Sequence, residues 1–250
     1  MQRLLFISLT FLLWSCSDNK ALQEESYNGY AQGTTFHISY LFKGEAKDRS
    51  QAIDSILKSV DRSLSTYDPK SLISQLNAGA GISIDAHLRE MLDQSKEVYV
   101  NSKGYFDPTI APLVQFWGFG PQANTNKDTA SVDSILSFTG FDKLKYQSSS
   151  LKLPRGMSLD FNAIAQGYTV DLLAEYLEQE GIRNYMVEVG GEVRCLGENY
   201  QGKKWRIGVD KPTEEIDQQD RFQFILALDS AALATSGNYR KFWVDSLSGM

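Results

Sequence analysis

Histidine is almost missing from this chain: His37 and His87 are the only two in 250 residues. Cysteine is as scarce, with Cys16 and Cys195 alone. A zinc centre of His and Cys ligands, which needs four such donors to converge, is therefore nearly excluded. Any metal here should be a hard one held by oxygen. Clustered basic residues are lacking too, since Lys203-Lys204 and Arg240-Lys241 stand as isolated pairs and the formal net charge is −6. Nucleic acid is a poor partner for such a surface, because phosphate binding draws on grouped Lys and Arg. No internal repeat or low-complexity block is present. The chain also lacks an apolar run of about 20 residues, the length that crosses a bilayer.

What is present begins at the N-terminus. Arg3 supplies a positive start, and Leu4 to Trp14 form an apolar stretch broken only by Ser8 and Thr10. Its length and flanks are those of a secretory signal. Leu13-Trp14-Ser15-Cys16 then fits a lipobox, with an apolar residue at −3, a small residue at −1 and Cys at the cut; the alternative is an ordinary signal peptide beside an incidental cysteine. The expectation is a lipoprotein precursor: signal peptide 1–15, cleavage before Cys16, and acylation of Cys16. That would anchor the chain to a membrane of the cell envelope, facing the periplasm or the outside. Two acyl chains hold stably where one is marginal. Removing Arg3 makes the body one unit more acidic. Ser17 to Ser26 is polar and reads as a flexible tether, so residues 16–29 are expected to be a lipidated tether and 30–250 a single domain. With Cys16 acylated, Cys195 has no partner within the chain and is most simply a buried small hydrophobe.

The body mixes two periodicities. Over Thr34–Phe42 the residues alternate, Phe36, Ile38, Tyr40 and Phe42 sharing one face as a half-buried strand requires, with His37 on the other face in a structural or exposed role. Ile53, Ile56, Leu57, Val60 and Leu64 fall on one helical stripe over 50–64. A second helix is expected over 86–102, with Leu88, Met91, Leu92, Ser95, Val98 and Tyr99 inward, and a short one near 131–138. Ser158 to Phe161 reads as the end of a strand, followed by a helix from Asn162 to Glu180 that stops at Gly181. Strands are expected at 185–189, 193–196, 205–209, 222–228 and 239–244. Helices mostly precede strands, which points to an α+β fold with a mixed or antiparallel sheet core and packed helices. A final strand followed by a turn and then Met250 leaves a hairpin one arm short. The expectation is that the domain's C-terminal part is missing.

Four segments carry small, polar and aromatic residues that a plain core would not need. The first is Ser65-Thr66-Tyr67-Asp68-Pro69 with Ser71, Ser74 and Asn77, which taken alone is a turn with a packing tyrosine. The second is Gly104-Tyr105-Phe106-Asp107-Pro108-Thr109, leading to Phe116-Trp117-Gly118-Phe119-Gly120, a platform for a flat ring or a core corner. Gly118 to Ala123 formally fits the dinucleotide pattern, but Pro121 and the lack of flanking strand and helix reject it. The third, Ser158 to Tyr168, puts Asp160 at a strand end before a helix start, whose free N–H groups and positive dipole end suit phosphate. Asp160 or Asn162 capping the helix is the plainer alternative. The fourth joins Glu188-Val189-Gly190-Gly191-Glu192 with Ala234 to Tyr239, where paired glycines mark bulges or a close ligand.

The order and wording of these segments resemble the ApbE family, the FAD:protein FMN transferases. The resemblance runs over about residues 30–245, through GTTF, STYDPKSLISQLN, GYFDPTIAPLVQFWGFG, SLDFNAIAQGYTVD, VEVGGEVRCLG and ATSGNYRKF. It implies Mg²⁺-dependent transfer of FMN from FAD to a Thr or Ser hydroxyl of an acceptor protein, with AMP released. Acceptors would be subunits of membrane-bound redox complexes. Some relatives instead split FAD into FMN and AMP, and an FAD-binding lipoprotein without catalysis is the remaining alternative. By position, Tyr67 resembles a flavin-site aromatic, and Tyr105, Phe106 and Asp107 an FAD-contact triplet. Asp160 resembles the FAD-binding carboxylate and is the catalytic candidate. Ala163 would lend its main-chain carbonyl to Mg²⁺. Gln166 stands where many members carry a Lys toward FAD, and an amide brings a donor without charge. Gln32 stands where a Met is common. The family's remaining magnesium ligands, in a later DA…T motif, and its H-x-x-D-P segment have no counterpart before Met250.

Overall fold

A computed structural model describes residues 21–120, 132–146, 149–211 and 221–237. Cys16 and the expected strand at 239–244 therefore lie outside the described residues. In chain order the elements are β1 (Leu22–Ala31), β2 (Thr34–Lys43), α1 (Ser50–Leu64), α2 (Leu72–Asn77), β3 (Ile82–Ser83), α3 (Ala86–Asn101), α4 (Ala111–Phe116), α5 (Val132–Leu136), β4 (Ser150–Leu151), α6 (Asn162–Gln179), β5 (Tyr185–Val189), β6 (Glu192–Leu196), β7 (Trp205–Asp210), β8 (Phe222–Leu228) and β9 (Ala231–Leu233). The α+β expectation holds. A five-stranded sheet runs in the order β1-β2-β5-β6-β9, every neighbouring pair antiparallel. Two small sheets, β3-β4 and β7-β8, accompany it.

β2 forms where alternation predicts it. Phe36, Ile38 and Tyr40 are buried against Ile53 and Leu57 of α1 and Leu173 and Leu177 of α6. A second cluster takes the other half of α1, through Val60 and Leu64, and joins it to Leu88, Met91 and Leu92 of α3. α6 serves both: Val170, Leu173, Ala174 and Leu177 enter the sheet-side cluster, while Ile164, Ala165, Tyr168 and Leu172 pack on the other. The helix thus stands between these two clusters and needs apolar residues around most of its girth, while Val193, Cys195 and Trp205 form a third, smaller cluster. Burial of each large apolar side chain contributes about 1.5–3 kcal/mol.

Polar contacts fix how the helices meet. Asp85 caps α3 by accepting from the Leu88 N–H and also accepts from Ser63 Oγ of α1. His87, at the second residue of α3, pairs Nδ1 with the Tyr168 hydroxyl of α6 and Nε2 with Ser59 Oγ of α1, at 2.9 and 3.0 Å. One side chain therefore ties three helices.

Three expectations need correction. The tether does not extend to residue 29, because Leu22–Ala31 is a strand paired with β2 along its whole length. Only Leu22, Glu25, Tyr27 and Ala31 are partly buried there, so its side chains look like linker. Backbone pairing, with Ser39 and Tyr40 donating to Glu24 and Glu25, holds it in place. Polar side chains also suit an edge strand, since they discourage further pairing. Val98 is 41% exposed rather than inward, as α3 turns that side to solvent. Residues 158–161 form no regular strand, only a single parallel bridge, Ser158 with Ile110. Among the described residues no helix is long and apolar enough to cross a membrane.

Candidate functional site

The short stretch Ser158-Leu159-Asp160 is held on both edges. On one edge the Asp160 N–H donates to the Pro108 carbonyl at 2.8 Å, beside the Ser158–Ile110 bridge. On the other, the Asn77 carboxamide takes both backbone groups of Leu159: Nδ2 donates to the carbonyl and Oδ1 accepts from the N–H, each at 2.8 Å. Successive residues of extended chain point their backbone groups to opposite sides, so the two clamps do not compete. Leu159 is fully buried, while Ser158 and Asp160 line an adjoining cleft. The first three segments singled out in the sequence meet here.

That cleft measures about 440 Å³, within the usual range for small-molecule sites. Its lining includes Thr66, Tyr67, Ser74, Asn77, Ser158 and Asp160. Tyr67 presents a ring 64% exposed, free to stack on a flat ligand. Thr66 Oγ1 is buried and has no hydrogen-bond partner among the described residues. Burial pushes the Asp160 carboxyl above the usual carboxylate range, partly offset by hydrogen bonds from the Asn162 N–H at 2.7 Å and Nδ2 at 3.2 Å. Asn162 opens α6, and its N-cap residue Phe161 has no side chain that can cap it. Asp160 instead makes a local turn with Asn162, so the capping alternative is met only in part.

The other candidates lie around this centre without lining the cleft. Tyr105 is 96% exposed and Phe106 half-buried, its N–H donating to Ser102 Oγ. Asp107 turns inward: its carboxylate accepts from the N–H and hydroxyl of Thr109 and from the Phe141 N–H. Ala163 is exposed in the first turn of α6. Gln166, one turn further, lies against Gly190: its Nε2 is 2.5 Å from where a Cβ would stand, and φ is +62° there. The positive φ is what favours glycine there, since the end of the Gln166 side chain could move aside. The neighbouring Gly191 faces Thr235 Oγ1, so the fourth segment gathers at the same end of α6. Gln32 donates to Thr169 Oγ1 at 2.7 Å, and its Oε1 is buried without a hydrogen-bond partner among the described residues.

The roles of Asn77, Thr66 and Ser158 escaped sequence reasoning. Asn77 ends a quoted segment but serves a backbone 82 residues away, and no local pattern signals that.

Among the described residues no three His, Cys, Asp or Glu side chains are placed to hold a metal ion together. The Asp160 carboxylate, the Ser158 hydroxyl and the Ala163 carbonyl are hard oxygen donors. Mg²⁺ is commonly held by one or two carboxylates together with substrate phosphates. A donor set with one carboxylate among hard oxygens is of the kind that habit uses.

The sequence model of the ApbE family matches residues 32–249. The chain belongs to the ApbE family. Two relatives, each called FAD:protein FMN transferase, are the proteins of Vibrio cholerae and Haemophilus influenzae. The first is 34% identical over 95% of this chain and 73% of its own length. The second is 31% identical over 96% and 72%. Among ApbE structures, the flavin transferase from Vibrio cholerae superposes with a TM-score of 0.78 at 31% identity, covering 90% of this chain and 75% of that one. The resemblance read from the motifs is thereby shown, and the single-domain α+β architecture is that of the family.

Proposed function

We propose that this protein transfers FMN from FAD to a Thr or Ser hydroxyl of an acceptor protein, releasing AMP, with Mg²⁺ as cofactor. The supporting observation is the double clamp that sets Asp160 in the cleft, beside Tyr67 and the uncapped start of α6, in a member of a family whose relatives bear that name. In the reaction the acceptor oxygen bonds to the FMN phosphorus as the bond to the AMP oxygen breaks. The hydroxyl proton passes to solvent, and AMP departs with the electron pair of the broken bond. Such a displacement needs charge neutralisation and in-line positioning more than a covalent enzyme intermediate. Asp160, Ser158 and the Ala163 carbonyl would hold Mg²⁺, which when bound neutralises diphosphate charge. Tyr67 stacks on the flavin, Tyr105 and Phe106 extend that surface, and Gln166 donates to FAD. The Asn162, Ile164 and Ala165 N–H groups already donate to Asp160 and the Phe161 carbonyl, so α6 would act on the phosphates through the positive end of its dipole. Asp107 keeps the second segment in place for this.

The lipobox Leu13–Cys16 supports a lipid anchor in the cell envelope, which would hold the domain close to flavin-requiring subunits of membrane redox complexes.

Incubation with FAD, Mg²⁺ and a Thr-containing acceptor domain, followed by intact-mass spectrometry, tests the activity. An FMN adduct and one AMP per adduct are expected. AMP and free FMN without an adduct would assign a hydrolase instead, and intact FAD would leave a binding protein.

A further inference from the structure

The role of Asn77 goes beyond the ligand-contacting residues named above. Its side chain completes a missing strand neighbour. Leu159 is fully buried, so its N–H and carbonyl cannot turn to water, and unmade hydrogen bonds there are costly. The Pro108–Ile110 strip satisfies only the opposite edge of this stretch, through Ser158 and Asp160. A carboxamide is the side chain that can donate and accept side by side, as a peptide group does. Asn77 uses both functions on Leu159, at 2.8 Å each. It is the last residue of α2, which follows directly on the Thr66–Tyr67 loop. The loop that bears Tyr67 and the strip that bears Asp160 are therefore registered to each other by one amide.

We propose that Asn77 is a positioning residue: it acts through the Leu159 backbone to hold the Asp160 carboxylate in the FAD cleft at a fixed place relative to Tyr67. The inference rests on the flavin-transfer reading for Asp160. Ser158 and Asp160 flank the clamped residue on either side, so a shift of Leu159 moves both polar groups that the strip brings to the cleft. Small displacements of this kind are enough to slow group transfer about 10- to 100-fold.

A double-mutant cycle between Asn77 and Asp160 tests it, read on FAD affinity by flavin-fluorescence quenching and on FMN transfer to the acceptor domain. Asn77→Ala should lower transfer about 10-fold per folded protein and weaken FAD binding. In an Asp160→Asn background the same change should have an effect below about 2-fold, because residues acting as one unit are not additive. Asn77→Asp is the second variant should Asn77→Ala fail to fold. It keeps the shape and the acceptor but sets a carboxylate oxygen against the Leu159 carbonyl in place of the donor, and should behave alike in the cycle. Additive losses on either readout would mean Asn77 only stabilises the fold, and unchanged affinity and transfer in the single variants would overturn the proposal outright. If the wild-type protein binds FAD but transfers nothing, the proposed reaction falls while the affinity cycle still decides the role of Asn77. No FAD binding by wild type would overturn both.

Discussion

Asp107 and Phe141 are 34 residues apart, yet the Phe141 N–H donates to Asp107 Oδ2 at 3.2 Å. The other carboxylate oxygen accepts from the Thr109 N–H and hydroxyl, and Thr109 Oγ1 in turn accepts from the Gly140 N–H. A motif residue that reads as a ligand contact is thus also the joint between the aromatic segment and the turn at 140–141. Phe141 is buried in the helix-side core, so the joint anchors the second segment to that core.

Asp107→Ala should accordingly cost about 2–3 kcal/mol, from several hydrogen bonds lost to a charged acceptor. Urea unfolding would register this as a lower midpoint with an unchanged slope. A loss under about 0.5 kcal/mol, the level of an ordinary surface substitution, would show that the carboxylate does not hold the joint.

Asp160→Asn separates function from stability. Burial raises the Asp160 carboxyl in the folded protein, so the folded state keeps that proton more tightly than the unfolded chain. This group's contribution is then most favourable below the unfolded value of about 3.9. It declines as pH rises towards the folded value and stays at its lower level above that. The amide variant escapes the decline. Near neutral pH its melting temperature should match or exceed that of the wild type, with any advantage gone below about pH 3. FMN transfer should fall about 100-fold, the scale for losing a group that acts on developing charge. A destabilised variant with full transfer would refute both assignments.

Cys195 should be chemically silent. It lies 1% exposed on β6, and burial pushes its thiol up to about 12. Since thiolate is the reactive form, a Cys16→Ser protein should give no fast reaction with an aromatic disulfide reagent until it is unfolded. It should then give one equivalent. Rapid labelling of the native protein would place Cys195 at the surface.

The anchor has its own test. Wild-type protein made in a bacterium should incorporate labelled palmitate and sediment with membranes, whereas Cys16→Ser should do neither, because it removes the proposed acylation site and with it the hydrophobic attachment. Membrane association of the serine variant would mean that something other than the lipid holds the chain there.

Periodicity made the long elements legible. Ile53, Leu57, Val60 and Leu64 lie on the buried side of α1 as their spacing requires, and β5 and β8 span the residues that local pattern indicates. The cores those residues build are properties of composition and spacing. The motif wording likewise carried the family. β1 was hidden, because an edge strand held by its backbone needs few apolar side chains. α2 was hidden as well, six residues being too few to display a helical period.

The site belongs to the tertiary structure. Neither Asn77 nor Leu159 says anything locally about the other, and the two hydrogen bonds between them form only after 82 residues of chain have closed. Sequence determined that Tyr67, Asp107 and Asp160 are present in a recognisable order. Folding decided that Tyr67 and Asp160 line one cleft while Asp107 turns inward. The physical reason is that side-chain direction depends on which backbone groups are already paired, and that pairing is long-range.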